Sequence, residues 1–286
     1  PILNHLLVIA RGEGVTLSAT NLELAFTCHV RGKVEEDGEF TVPASILSNY
    51  ASLLPEGVIS VELHEKDFCI KTEGQKTKIR GEGASEFPVI PKVEAGQEYI
   101  CEKNALRSAL LQVALAASLD ETRPEISGVL FYFSGMSLTL AATDSYRLAE
   151  KKIALSKASS DLRVIVPQRT VQEVLRILGI FNENEITLLV SENQILVRGD
   201  GVEIISRLIE GNYPSYEKII PKQSRTEVKL NKETFLKAIK SASLFTKTGI
   251  NDVHLLFSRE KQNIIISSVN TQVGEHMAEI SAVVSG

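Results

Sequence analysis

Apolar residues recur along this chain at two periods, and stretches of the two periods alternate. Ile46, Leu47, Tyr50, Leu53 and Leu54, and again Val171, Val174, Leu175 and Leu178, fall at helical spacing, predicting amphipathic helices over 43–54 and 168–178. Period two governs 58–63, 68–71, 185–190 and 194–197, the alternation of strands buried on one face. Two more helices, Asn104–Ala117 and Asn231–Phe245, begin at polar residues after the short strands Tyr99–Cys101 and Glu227–Leu230. Strand pairs 128–133 with 137–142, and 253–258 with 264–268, follow them. Ser134–Gly135, Glu192–Asn193 and Arg259–Glu260–Lys261 are polar breaks between apolar runs and predict hairpins.

These elements repeat. Phe40–Thr41–Val42–Pro43 and Val164–Ile165–Val166–Pro167 lead into the same order of helix and strands, ending at Glu86–Phe87–Pro88 and at Asn212–Tyr213–Pro214. Between them runs a second pattern. Ala142–Thr143–Asp144–Ser145–Tyr146–Arg147–Leu148–Ala149 echoes Ala19–Thr20–Asn21–Leu22–Glu23–Leu24–Ala25, and Ser268–Val269–Asn270–Thr271 holds the third place. The chain thus reads A–B–A–B–A in halves of strand, helix and strands, an α+β fold with two helices packed on antiparallel sheets per module. The expected modules are 1–95, lacking its opening strand and helix, 96–223, which is whole, and 224–286, lacking its second half. Three A–B units cut at both ends are the simplest account.

Charge sharpens this picture. Of 286 residues, 31 are Lys or Arg and 36 Asp or Glu, a net charge of −5. The predicted helices nevertheless carry +5 together, through Lys103 and Arg107, Arg169 and Arg176 against Glu173, and Lys232, Lys237 and Lys240 against Glu233, so the remaining chain holds −10. Lys247 follows the last helix. Lys and Arg are good helix formers, so a solvated surface is one reading. A row of basic helices facing a polyanion, with weak, salt-sensitive contact blind to base sequence, is the other. No apolar run approaches the length of a membrane span. Three cysteines with no close pair suit a reducing cytoplasm.

The ordered segments Pro1–Ile2–Leu3, 19–23, Val42–Pro43–Ala44, 142–149, Ile165–Val166–Pro167 and Glu210–Gly211–Asn212–Tyr213–Pro214–Ser215–Tyr216 resemble the bacterial DNA polymerase III beta subunit, the sliding clamp family. The resemblance covers the whole chain. It implies a DNA-clamp fold and a non-enzymatic ring of two head-to-tail copies around duplex DNA, needing no cofactor, metal or membrane. It implies docking of the replicative polymerase alpha subunit, the clamp loader, repair and translesion polymerases, mismatch repair proteins and ligase. Matched residue by residue, the partner-peptide pocket falls on Ile126, Thr143, Ser145, Tyr146, Arg147, Leu148 and Pro221, and the interface between copies on Ile79, Leu244 and Phe245. The basic residues above would face DNA. Where the family commonly has Gly and His, this chain has Ser145 and Tyr146, which should alter the pocket rim. The family completes that pocket with residues later than Gly286.

Two other classes compete. A repeat scaffold binding only proteins would not need the basic helices. A metal-dependent nuclease would use Asp120, Glu121 and Asp144. The five histidines are scattered without ligand spacing, and Gly81–Glu82–Gly83 and Gly199–Asp200–Gly201 read as turns rather than phosphate loops.

Overall fold

The structure, a computed structural model, describes all residues except Pro1, Glu94, Glu121, Thr248 and Ile250. Pro1 of the first quoted motif and Glu121 of the acidic pair therefore lie outside the described residues. The chain divides into two compact units, 1–214 and 215–286.

The first unit opens with β1 (His5–Arg11), β2 (Gly14–Thr20), β3 (Leu24–Arg31) and β4 (Gly38–Pro43). Helix α1 (Ala44–Ala51), β5 (Ser60–His64), β6 (Asp67–Thr72), β7 (Gln75–Arg80) and β8 (Glu82–Gly83) follow. The second module runs through β9 (Gln97–Glu102), α2 (Lys103–Val113), β10 (Gly128–Ser134), β11 (Ser137–Thr143) and β12 (Leu148–Ala154). It ends with β13 (Leu162–Pro167), α3 (Gln168–Leu178), β14 (Glu185–Val190), β15 (Gln194–Gly199) and β16 (Val202–Arg207). The second unit holds β17 (Glu227–Leu230), α4 (Lys232–Ser243), β18 (His254–Ser258), β19 (Asn263–Asn270) and β20 (Gly274–Ser285).

Every pairing is antiparallel, as the alternation predicts, but the halves are less self-contained than their sequences suggest. β13 pairs with β10 and β14 with β9, so each half lends its first strand to the other. A nine-stranded sheet runs β8-β4-β1-β2-β3-β16-β15-β14-β9 and crosses the expected boundary at 95/96. Its seam pairs β3 with β16, from Val202 opposite Cys28 to Ser206 opposite Leu24. Ala25, Leu196 and Ile205 form an apolar patch on its outer face, covered by Ile90 and Val93 of the intervening segment.

The main core lies in the second module. Leu106 and Leu110 of α2 and Val171 and Val174 of α3 pack with Phe131, Val166, Ile186 and Leu188 from both sheets. Tyr99 stacks on Phe133 at 3.8 Å. Helix α2 is shorter than expected: it gives way to a 3-10 turn at Ala114–Ala116, and the Ala114 carbonyl accepts from Gln168 Nε2 at 3.3 Å. Helix α1 likewise stops at Ala51, where Ser52 Oγ donates to Asn49 O at 2.7 Å. Asn231 caps α4 through the Thr234 N–H. Glu82–Gly83, expected as part of a turn, is instead a short strand on β4. A Cβ on Gly81 would stand 2.1 Å from Thr41 O, so only glycine permits this approach.

Candidate functional site

The turn between β11 and β12 is built by its own side chains. Asp144 Oδ1 accepts from the N–H groups of Tyr146 (3.0 Å) and Arg147 (2.9 Å), while Oδ2 accepts from Arg147 Nε at 3.0 Å. Thr143 Oγ1 accepts from Ser145 N at 3.1 Å and donates to Arg147 O at 2.8 Å. Ser145 therefore sits at φ 76°, a left-handed conformation. The N–H bonds, Arg147's foremost, hold the Asp144 carboxyl below its ordinary range. Every oxygen of Asp144 thus serves the turn, which leaves the nuclease reading without a free carboxylate there. Among the described residues no group of three or more His, Cys, Asp or Glu is placed to hold a metal.

Of the expected pocket residues, the fold brings Thr143, Ser145, Tyr146, Arg147 and Leu148 together in this turn. Tyr146 is 99% exposed, Arg147 is exposed and Leu148 half-buried. Ile126 is buried at the end of the 3-10 turn Pro124–Ile126, so it supports the wall rather than offering surface. Arg123, which sequence reasoning passed over, donates from Nη1 to Ser145 Oγ at 2.8 Å and from Nε to Glu125 at 3.4 Å, bracing the turn. No local signal marks it, because its acceptor lies in another element. Tyr213, whose backbone lies in the same unit, has its phenol pushed up to about 12 by burial, against an opposing hydrogen bond at the Thr143 backbone. Pro221 is exposed in the second unit.

The basic residues divide into two kinds. Helices α2 and α3 lie antiparallel, so the start of one meets the carbonyl end of the other. Lys103 Nζ donates to Phe181 O at 2.7 Å, and Arg107 Nε lies 3.9 Å from where a Cβ would stand on Gly179. Both cations sit against the negative end of α3 and stabilise it. Arg169 and Arg176 are exposed along α3, Arg176 with its guanidinium 2.6 Å from Glu173. Lys232, Lys237 and Lys240 are exposed on α4, and Lys247 beyond it. Ile79, expected at the interface between copies, has its side chain buried in the core of the first module. Leu244 is exposed just past α4, and Phe245 stacks on His276 with ring centroids 5.7 Å apart.

Comparison with known proteins gives one consistent pattern. A family model described as the DNA polymerase III beta subunit N-terminal domain matches residues 1–91, and one described as its central domain matches 101–215. The beta sliding clamp of Bacillus subtilis is 28% identical over 292 residues, spanning 99% of this chain and 77% of the relative. The crystal structure of the Bacillus subtilis DNA polymerase sliding clamp superposes with a TM-score of 0.91 at 28% identity, over all of this chain and 78% of the other. The DNA polymerase III beta subunit of Pseudomonas aeruginosa shares the fold at a TM-score of 0.93 and 23% identity, over all of this chain and 78% of that one. The chain spans about three quarters of these relatives.

Proposed function

The chain belongs to the DNA polymerase III beta subunit family, and we propose on that footing that it acts as a sliding clamp, a non-catalytic processivity factor that holds the replicative polymerase on duplex DNA. The observation that carries this is the pair of family matches in tandem over a chain whose halves repeat with the clamp element order. Sliding needs contact that is weak and blind to base sequence, and a few exposed cations on helices supply that. Arg169 and Arg176 on α3, and Lys232, Lys237, Lys240 and Lys247 in the second unit, are the DNA-facing set. Lys103 and Arg107 belong to it less directly, since they are committed to the end of α3.

The turn 143–148 is the docking surface for partner peptides. Leu148 offers apolar contact, Tyr146 a large exposed ring, and Arg147 donors for backbone or carboxylate oxygens. The partners are the polymerase alpha subunit, the clamp loader and the repair, translesion, mismatch-repair and ligase proteins that share one clamp. The working form is a head-to-tail homodimer in the cytoplasm, with Ile79 on one side of the interface and Leu244 and Phe245 on the other.

Charge reversal at Arg169, Arg176 and Lys240 together is the test. Stimulation of primer extension by a bacterial replicative polymerase should fall more than about tenfold at physiological salt, with the unfolding midpoint unchanged. Undiminished stimulation would favour a protein-only scaffold.

A further inference from the structure

We propose that Arg123, latched by Ser145 and neutralised by Glu125, sets the specificity of the docking turn. It takes an uncharged acceptor of the partner peptide, a side-chain amide or a main-chain carbonyl, in preference to a carboxylate. The inference rests on the docking reading above and narrows it to one ligand chemistry.

The Ser145 hydroxyl is not needed to build the turn. Leu22 takes the same φ of 76° in the turn after β2, with the same threonine bond to its N–H and no hydroxyl of its own. What the hydroxyl does at 145 is receive Arg123 Nη1, at 2.8 Å. Arg123 stands just before the 3-10 turn Pro124–Ile126, where Glu125 Oε1 receives its Nε at 3.4 Å. The guanidinium is thus held at two corners, and a residue with a side chain is kept at a φ that favours glycine. Two of its five N–H donors are used, which leaves three on a side chain that is 50% exposed. Pinning removes rotamer freedom that binding would otherwise have to remove, so the remaining donors are preorganised for an acceptor.

Charge then decides which acceptor. Among the described residues of 120–125 and 143–148, the carboxylates of Asp120, Glu125 and Asp144 stand against the guanidiniums of Arg123 and Arg147, one negative charge in excess. Each arginine already carries a carboxylate: Asp144 lies 3.0 Å from Arg147 Nε, and Glu125 3.4 Å from Arg123 Nε. Asp120 Oδ1 accepts from the Thr122 N–H at 2.9 Å and from its hydroxyl at 2.7 Å. Those bonds, the hydroxyl's foremost, and the nearby charge of Arg123 hold the Asp120 carboxyl below its ordinary range, so it stays ionised at neutral pH. A carboxylate on the partner would gain the donors but meet the excess negative charge. An amide or carbonyl gains the same donors without that repulsion, which is how a site discriminates between isosteres.

Competition for this chain bound to a bacterial DNA polymerase III alpha subunit tests the proposal. The competitors are two end-capped peptides that share a Leu–Phe anchor and differ only in having Gln or Glu beside it. At low salt the Gln peptide should compete about threefold or more better than the Glu peptide, and the gap should close as salt rises. Glu125→Gln should lower that ratio about threefold while keeping an acceptor for Nε. Ser145→Gly should weaken the Gln peptide about threefold or more with no fall in the unfolding midpoint, since glycine suits the left-handed φ. Arg123→Ala should cost as much, and the two together no more than either alone. Equal or better competition by the Glu peptide, a ratio indifferent to Glu125→Gln, undiminished binding in Ser145→Gly, additive losses in the double variant, or no competition by either peptide would each overturn the proposal and leave the docking reading standing. An alpha subunit that does not bind the parent chain would remove both.

Discussion

The turns 20–24 and 143–147 share one set of backbone bonds and put them to different ends. In the first, Asn21 Oδ1 accepts from Glu23 N (3.1 Å) and Leu24 N (2.8 Å), and Thr20 Oγ1 accepts from Leu22 N (3.0 Å) and donates to Leu24 O (3.1 Å). Leu22 takes φ 76°, as Ser145 does in the second. The threonine and the Asx residue fix the loop, leaving three positions free to vary. The chain after the first turn enters β3 and is joined to β16, with Glu23 O accepting from Arg207 N at 3.0 Å. After the second it enters β12, the edge of its own four-stranded sheet. One copy is spent on joining modules. The other holds Tyr146 and Arg147 out to solvent beside an edge strand that is paired with β11 on one side, the condition a recognition surface needs.

The largest test of this contrast lies in the residue that follows each turn. Ala25→Asp places a carboxylate beneath Ile90 and Val93, and should cost about 3 kcal/mol or more in urea unfolding of the first unit. Leu148→Asp, at the equivalent place on the open edge, should cost less than about 1 kcal/mol. Equal losses would mean that the two strands are equally engaged. A smaller effect separates the turns by pH. The Asp144 carboxyl is held below its ordinary 3.8, so its contribution is full above that value and is lost as pH falls through the lowered one. Asn21 does not titrate. Thermal unfolding across about pH 2.5–6 should show an acid-side loss in the parent that Asp144→Asn reduces, because the amide keeps the Oδ1 acceptor. An identical acid profile in both would place the loss elsewhere.

Much of the fold is legible from local pattern. Helix 168–178 and the strands 185–190 and 227–230 begin and end where their periodicity does. What escapes local reading depends on distant partners. The end of α2 is set by Gln168, the strand at Glu82–Gly83 by β4, and the nine-stranded sheet by a pairing of 24–28 with 202–206 that neither strand announces. The candidate site divides in the same way. Its turn is written in Thr143 and Asp144, whereas the Arg123 brace, the burial of Ile126 and Ile79, and the attachment of Lys103 and Arg107 to α3 arise only once separate elements meet. Residue type revealed the charge of those two cations but not what they face.

Retention on DNA of defined topology tests the central claim most directly. The protein, loaded by a bacterial clamp loader onto nicked circular duplex and passed through gel filtration, should elute with the DNA and should be released when the circle is cut once. Equal retention on circular and linear DNA, or none on either, would contradict a ring that holds by encircling.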